Sequence, residues 1–241
     1  MMWQLNNRPA AIAVIAASLC SCTGSTERTI TAEPISGAPP IAYRAIEDNI
    51  QHDTLLIQTT FDLGDGSFIM VASNIDPSFE GIRLYRYRLT ADSSVSMLAI
   101  SPPAYDSWTM LPTFFGADSM RTDALWLLAN FGERESWGQK LLWMDGAFTD
   151  HGFMDVALPE RVLEDDTLQL KRRNIAPLMR WSERNDTTFF SFACDSVYLY
   201  DDQDGGYDQI VPANSVHFTW TKSEGLALWM NGSKRPVKVP A

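Results

Sequence analysis

FIMVASNIDPSFEGIRLYRY (residues 68–87) and LWLLANFGERESWGQKLLWM (residues 125–144) align without a gap at an offset of 57 residues. Ala72 falls on Ala129, Asp76 on Glu133, Gly81 on Gly138, Arg83 on Lys140 and Leu84 on Leu141. The opening run of each copy, FIMVA or LWLLA, is apolar at odd and even positions alike. Successive side chains of a strand point to opposite faces, so such a strand must be covered on both sides. A sandwich with one wet face would show cleaner alternation. The pair therefore predicts repeated β units that stack against one another.

The same grammar surrounds each copy. A strand precedes it (LLIQTTF, 55–61; WTMLPTFF, 108–115) and a polar turn joins the two (62–67; 116–123). A fourth strand follows, VSMLAI (95–100) in the first copy and, with a one-residue slip, FMDVAL (153–158) in the second. A shorter third copy runs through APLMRWS (176–182), ERNDT, FFSFACDSVYLY (189–200) and YDQIV (207–211). Asp65-Gly66, Asp145-Gly146, Asp204-Gly205 and Asn231-Gly232 supply turn pairs that accept positive φ. Residues 215–232 read as one more hairpin, and PERVLEDD (159–166) is the helix candidate, with Pro159 acceptable in a first helical turn. Repeats at this period suggest propeller blades, each sandwiched by its neighbours. The expected fold is all-β: a small or partial β-propeller-like array of three to four four-stranded antiparallel units, with a β-sandwich as the alternative. The strand order over roughly residues 54–211 resembles degenerate FG-GAP or VCBS-type repeats. That resemblance implies a propeller, calcium between the first two strands of a unit, and a non-catalytic role.

Upstream, MMWQLNNR (1–8) precedes the apolar run AAIAVIAASL (10–19). The run is too short for a bilayer, which takes about 20 apolar residues, but suits the core of a signal peptide. It ends in Leu19-Cys20-Ser21-Cys22, which resembles a bacterial lipobox: an aliphatic residue at −3, a small one at −1, then the cysteine. Choosing Cys20 instead would put Leu19 at the position that needs a small residue. The resemblance implies cleavage after Ser21 and a diacylglycerol thioether on Cys22. Two or three acyl chains anchor stably where one holds only marginally. The expected organisation is a signal peptide (1–21), a lipidated cysteine and Gly/Pro-rich tether (22–50), and a β-repeat domain (51–241). The expected location is extracytoplasmic, lipid-anchored to a bacterial cell membrane or outer membrane. Cys194, among apolar and aromatic neighbours, reads as a small core residue.

The formal charge of −11 repels phosphate backbones and sets nucleic acid aside as a partner. Calcium is the one ion the acidic turns suggest, since six to eight oxygens must surround it. Asp62 and Asp65 precede Gly66 in the first turn; Asp118 and Asp123 flank Arg121 in the second; Glu183 and Asp186 flank Arg184 in the third. The arginines oppose a cation, so these read as structural turns. Asp201, Asp202, Asp204 and Asp208 in DDQDGGYD are the denser set, readable as a calcium loop or as a solvated hairpin end. No other cofactor is expected. His52, His151 and His217 lack spaced partners, and neither H-E-x-x-H nor G-x-S-x-G occurs.

Three aromatics are the candidate ligand contacts. Trp137 stands in GERESWGQ, where an exposed indole could stack on a sugar or anchor a protein, or pack on its own loop. Tyr85 and Tyr87 alternate with Arg83, Arg86 and Arg88, as a binding patch or a solvated edge. The expected role is non-catalytic binding or scaffolding at the envelope, with a protein or glycan ligand. An envelope-associated hydrolase and a purely structural lipoprotein are the alternatives.

Overall fold

The computed structural model describes residues 37–46, 54–75, 81–103, 109–117, 120–133, 136–164, 166–200 and 208–239. Cys22 and the leader lie outside them, as do Asp201, Asp202 and Asp204. Among the described residues, regular structure is all β apart from two one-turn 3-10 segments, Ala176–Leu178 and Ala213–Ser215.

The described residues form four antiparallel sheets. Sheet 1 is a meander of β1 (Arg44–Ile46), β2 (Leu55–Asp62), β3 (Ser67–Asn74), β4 (Ile82–Leu89) and β5 (Val95–Ile100). Sheet 2 is a second meander, β6 (Thr109–Phe115), β7 (Ala124–Glu133), β8 (Ser136–Asp145) and β9 (Ala147–Phe153). Sheet 3 joins β10 (Val156–Glu164) and β11 (Thr167–Arg173) to β14 (Ser196–Tyr200) and β15 (Asp208–Pro212), in the order β11-β10-β14-β15. Sheet 4 joins β12 (Met179–Arg184) and β13 (Thr187–Phe192) to β16 (Val216–Thr221), β17 (Gly225–Met230) and β18 (Ser233–Pro236).

The four strands expected of the first unit are β2 to β5, with β1 added at the edge, and three later readings are corrected. The fourth strand of sheet 2 is β9, not residues 153–158, which straddle the passage from sheet 2 to sheet 3. The third copy is divided: β12 and β13 belong to sheet 4, whereas β14 pairs with β10 in sheet 3. The hairpin at 215–232 fills the vacated place beside β13. PERVLEDD is strand and turn rather than helix. Beyond Ala157, β14 no longer pairs with β10, so Pro159 lies where one edge of its strand needs no N–H. Diagonal ion pairs Glu160–Arg173 and Glu164–Lys171 then close the β10–β11 hairpin.

Sheet 2 has the two-sided cover that LWLLA demands. Leu125, Leu127 and Ala129 pack with Ile69, Val71 and Leu84 of sheet 1. Trp126 and Leu128 face the other way and pack with Phe190, Phe192 and Phe218 of sheet 4 and with Val197 and Leu199 of sheet 3. On sheet 1, Ile69 and Val71 face sheet 2, while Met70 and Ala72 cluster on the opposite face with Tyr85 and Tyr87 of the same sheet.

A segment assigned by sequence to the tether belongs to the fold. Ala38 exchanges two hydrogen bonds with Trp181 at the edge of sheet 4 (2.7 and 2.9 Å). Ile41 N–H then donates to Phe114 O at the edge of sheet 2 (2.8 Å). Arg44–Ile46 completes the run by pairing with β2 at the edge of sheet 1. This strap passes close enough that a Cβ on Gly37 would stand 3.0 Å from both Arg180 Cβ and Trp181 O. Glycine removes that clash.

Candidate functional site

The strap roofs a cleft of about 230 Å³. Pro40, Ile41, Ala42 and Tyr43 form one wall; Phe61 of β2, Pro112, Thr113 and Phe114 of β6, and Pro177 form the rest. Pro112 is tolerated because β6 is the edge of sheet 2. Tyr43 and Phe61 both meet Phe114 edge-on, at centroid distances of 5.0 and 5.3 Å. Thr113 is held by the buried Asn130, whose Nδ2 donates to Thr113 Oγ1 (3.0 Å) and to Leu111 O (2.7 Å). Among the described residues lining the cleft, Tyr43 is the one ionisable group.

The sequence-predicted ligand residues do not assemble here. Tyr85 and Tyr87 are 4% and 0% exposed, so the expected surface patch is withdrawn. β4 lies inside sheet 1, between β3 and β5, and these rings fill its outer face, with Phe68 stacked on Tyr87 at 5.3 Å. Arg86 is buried too and reaches the carbonyl of Thr122 (3.1 Å). Trp137 stands in β8 opposite Gly132 rather than in a loop; its side chain lies outside the described residues. Asp208 opens β15, exposed and opposite Tyr200. Cys194 is half-buried against the main core, and burial raises its thiol pKa.

The acidic turns serve the protein's own donors. Asp62 accepts from Arg44 and from Gly64 N–H. Asp65 accepts from the Ser67 hydroxyl and N–H and from the Thr122 hydroxyl, and stands 3.9 Å from Arg86. Burial alone would raise the pKa of Asp65, but these hydrogen bonds and Arg86 hold it at about 2. Thr122 lies 57 residues after Asp65, the offset of the repeat itself, so one turn clasps its counterpart. Among the described residues, no three His, Cys, Asp or Glu side chains converge as a metal site.

Aromatic residues missed by the sequence reading lie on sheet 4. His217 and Trp229 are cross-strand neighbours, near-parallel at 5.8 Å and 7°. Phe189 approaches His217 on one side, and Lys234 lies over Trp229 on the other, 5.7 Å from its ring centroid. The legible signal was the alternation in VHFTWT and GLALWM, which puts His217 and Trp229 opposite the core-facing Phe218 and Leu228.

Burial lowers the pKa of His217 and, against the charge of Asp150, that of His151, whose Nδ1 accepts from Trp220 Nε1 (3.1 Å). The folded state therefore resists protonation of both rings. As pH falls below about 6.5 the unfolded chain takes up protons first and stability drops. Asp65 adds a second loss, because its stabilising charge is present above 3.8 and disappears as pH falls towards about 2. Thermal melts should show a plateau above neutrality and two acid limbs. His217→Gln should flatten the upper limb; an unchanged limb in that variant and in His151→Gln would contradict the assignment.

The chain matches no known protein family, curated protein or solved structure.

Proposed function

We propose that this chain is an extracytoplasmic lipoprotein, held to a bacterial cell or outer membrane by acyl chains on Cys22, whose β domain binds a protein partner without catalysis. The run Leu19-Cys20-Ser21-Cys22 behind an apolar decapeptide supports the anchor. The observation that carries the binding role is the lining of the strap cleft: three aromatics, three prolines and a single ionisable group. Apolar walls gain about 25 cal/mol for each Å² taken from water. A volume of about 230 Å³ suits one or two side chains of a partner better than a drug-sized molecule. We read sheets 1 and 2 as neighbouring units of an open propeller-like array, supported by their shared meander order and the Asp65–Thr122 clasp at the repeat offset.

Intact-mass analysis of native protein tests the anchor: a chain starting at Cys22 with added acyl mass is expected, and one starting at Met1 with a free thiol refutes it. Crosslinking in native membranes tests the cleft. Ala42 is exposed at its rim, so Ala42→Arg should block entry without disturbing the core. A partner captured by the wild type should be lost from this variant; equal capture would refute the cleft as the site.

A further inference from the structure

The outer face of sheet 4 reverses the charge of the molecule. Strand alternation sends Trp181, Phe190, Phe218 and Leu228 into the core. The residues between them point outwards: Arg180 and Arg184 on β12, Phe189 on β13, His217 on β16, Trp229 on β17 and Lys234 on β18. The remaining outward positions are hydroxyl-bearing or small, and none carries a carboxylate. Glu224, in the turn after β16, reaches the face by pairing with Lys234. Arg180 is steadied by the carbonyl of Met179 (2.7 Å), and Arg184 is exposed.

Three cations around three half-buried rings, in a chain of net charge −11, make a local site for an anion that also has apolar surface. We propose that this face binds an acidic polysaccharide, with Arg180, Arg184 and Lys234 taking its carboxylates and the His217–Trp229 pair taking the apolar side of a sugar ring. Charge-assisted hydrogen bonds supply the first contact and ring packing the second. Screening over about 8 Å at physiological salt keeps carboxylates elsewhere on the surface from cancelling the attraction. Lys234 lies over the Trp229 ring and pairs with Glu224, and its long stem lets it leave both for a ligand carboxylate and bare that ring. Arg180 reaches the carbonyl of Pro177 (3.5 Å), which also lines the strap cleft, but the His217–Trp229 pair and Lys234 lie on strands further across sheet 4, and the proposal stands whether or not the cleft binds protein.

Affinity electrophoresis of the full-length protein in detergent, through gels holding polygalacturonate, tests it. The wild type should be retarded at physiological ionic strength, where the acidic remainder of the surface is screened, and fully methyl-esterified polymer should not retard it. Arg184→Ala and Lys234→Ala should each weaken binding about threefold, as for single exposed charge pairs. Trp229→Ala should weaken it about tenfold, and Trp229→Phe should keep most of it. Ala42→Arg should leave it unchanged. Absence of retardation in the wild type would overturn the proposal. So would equal retardation by polyglutamate or single-stranded DNA with no effect of Trp229→Ala, because charge alone would then explain the binding.

Discussion

Asp150→Ala is expected to cost about 3–5 kcal/mol, a large part of the stability of a domain this size. Asp150 Oδ2 stands 2.6 Å from Lys140 Nζ, with side-chain exposures of 17% and 9%. Its other oxygen accepts from Gly152 N–H (2.8 Å). The Lys140 ammonium also lies 5.0 Å from the Phe153 ring centroid. Removing the carboxylate strands a buried cation between β8 and β9 without its counter-charge. The pair as a whole need not stabilise, because both charges were taken from water to form it. Lys140→Met combined with Asp150→Asn should therefore be more stable than Asp150→Ala alone. Urea melts followed by circular dichroism read both. A loss below about 1 kcal/mol for Asp150→Ala would mean that the pair is solvated.

Trp126→Ala should be comparably severe, at about 3–5 kcal/mol. Its ring lies 4.7 Å from Trp143, 4.9 Å from Trp220, 5.3 Å from His151 and 5.9 Å from Phe190, centroid to centroid. These partners come from β8, β16, β9 and β13, so one side chain fills the seam between sheets 2 and 4. Alanine would leave a void bordered by elements of two sheets, neither of which can close it alone. Trp229→Ala, on the outer face of sheet 4, removes an equal volume where water can enter and should cost far less. Similar losses for the two would deny Trp126 its central place. Loss of near-ultraviolet dichroism in Trp126→Ala, with far-ultraviolet signal retained, would locate the damage in packing rather than in strand pairing.

Much of this was legible in particular residues. The double-sided runs FIMVA and LWLLA state that both faces are covered; for LWLLA the core clusters supply partners from other sheets on both faces, and for FIMVA they do so on one. The exchange of strands between sheets 3 and 4 was not legible, because β13 and β14 are joined by a short turn and read as neighbours. Which strand lies beside which is decided by distant packing, and period-two patterning is silent on it. Tyr85 and Tyr87 failed for a related reason. IRLYRYRL alternates two apolar sets, Ile82 and Leu84 against Tyr85 and Tyr87, and arginines interleaved with tyrosines masked the second. The strap, rich in proline and glycine, resembles a linker by composition, although Ala38 and Ile41 use their backbone groups as strand residues do. On sheet 4, alternation marks His217 and Trp229 as outward-facing, but only the register sets them side by side.

Tension applied from the N-terminal side would meet the domain at Ala38, where two hydrogen bonds to Trp181 carry it. The next link is the single bond from Ile41 to Phe114, and the paired strand β1 comes last. Links loaded one after another rupture in turn, at lower force than a strand sheared along its whole length. Traction would therefore load the strap wall of the cleft before it reached any full-length strand.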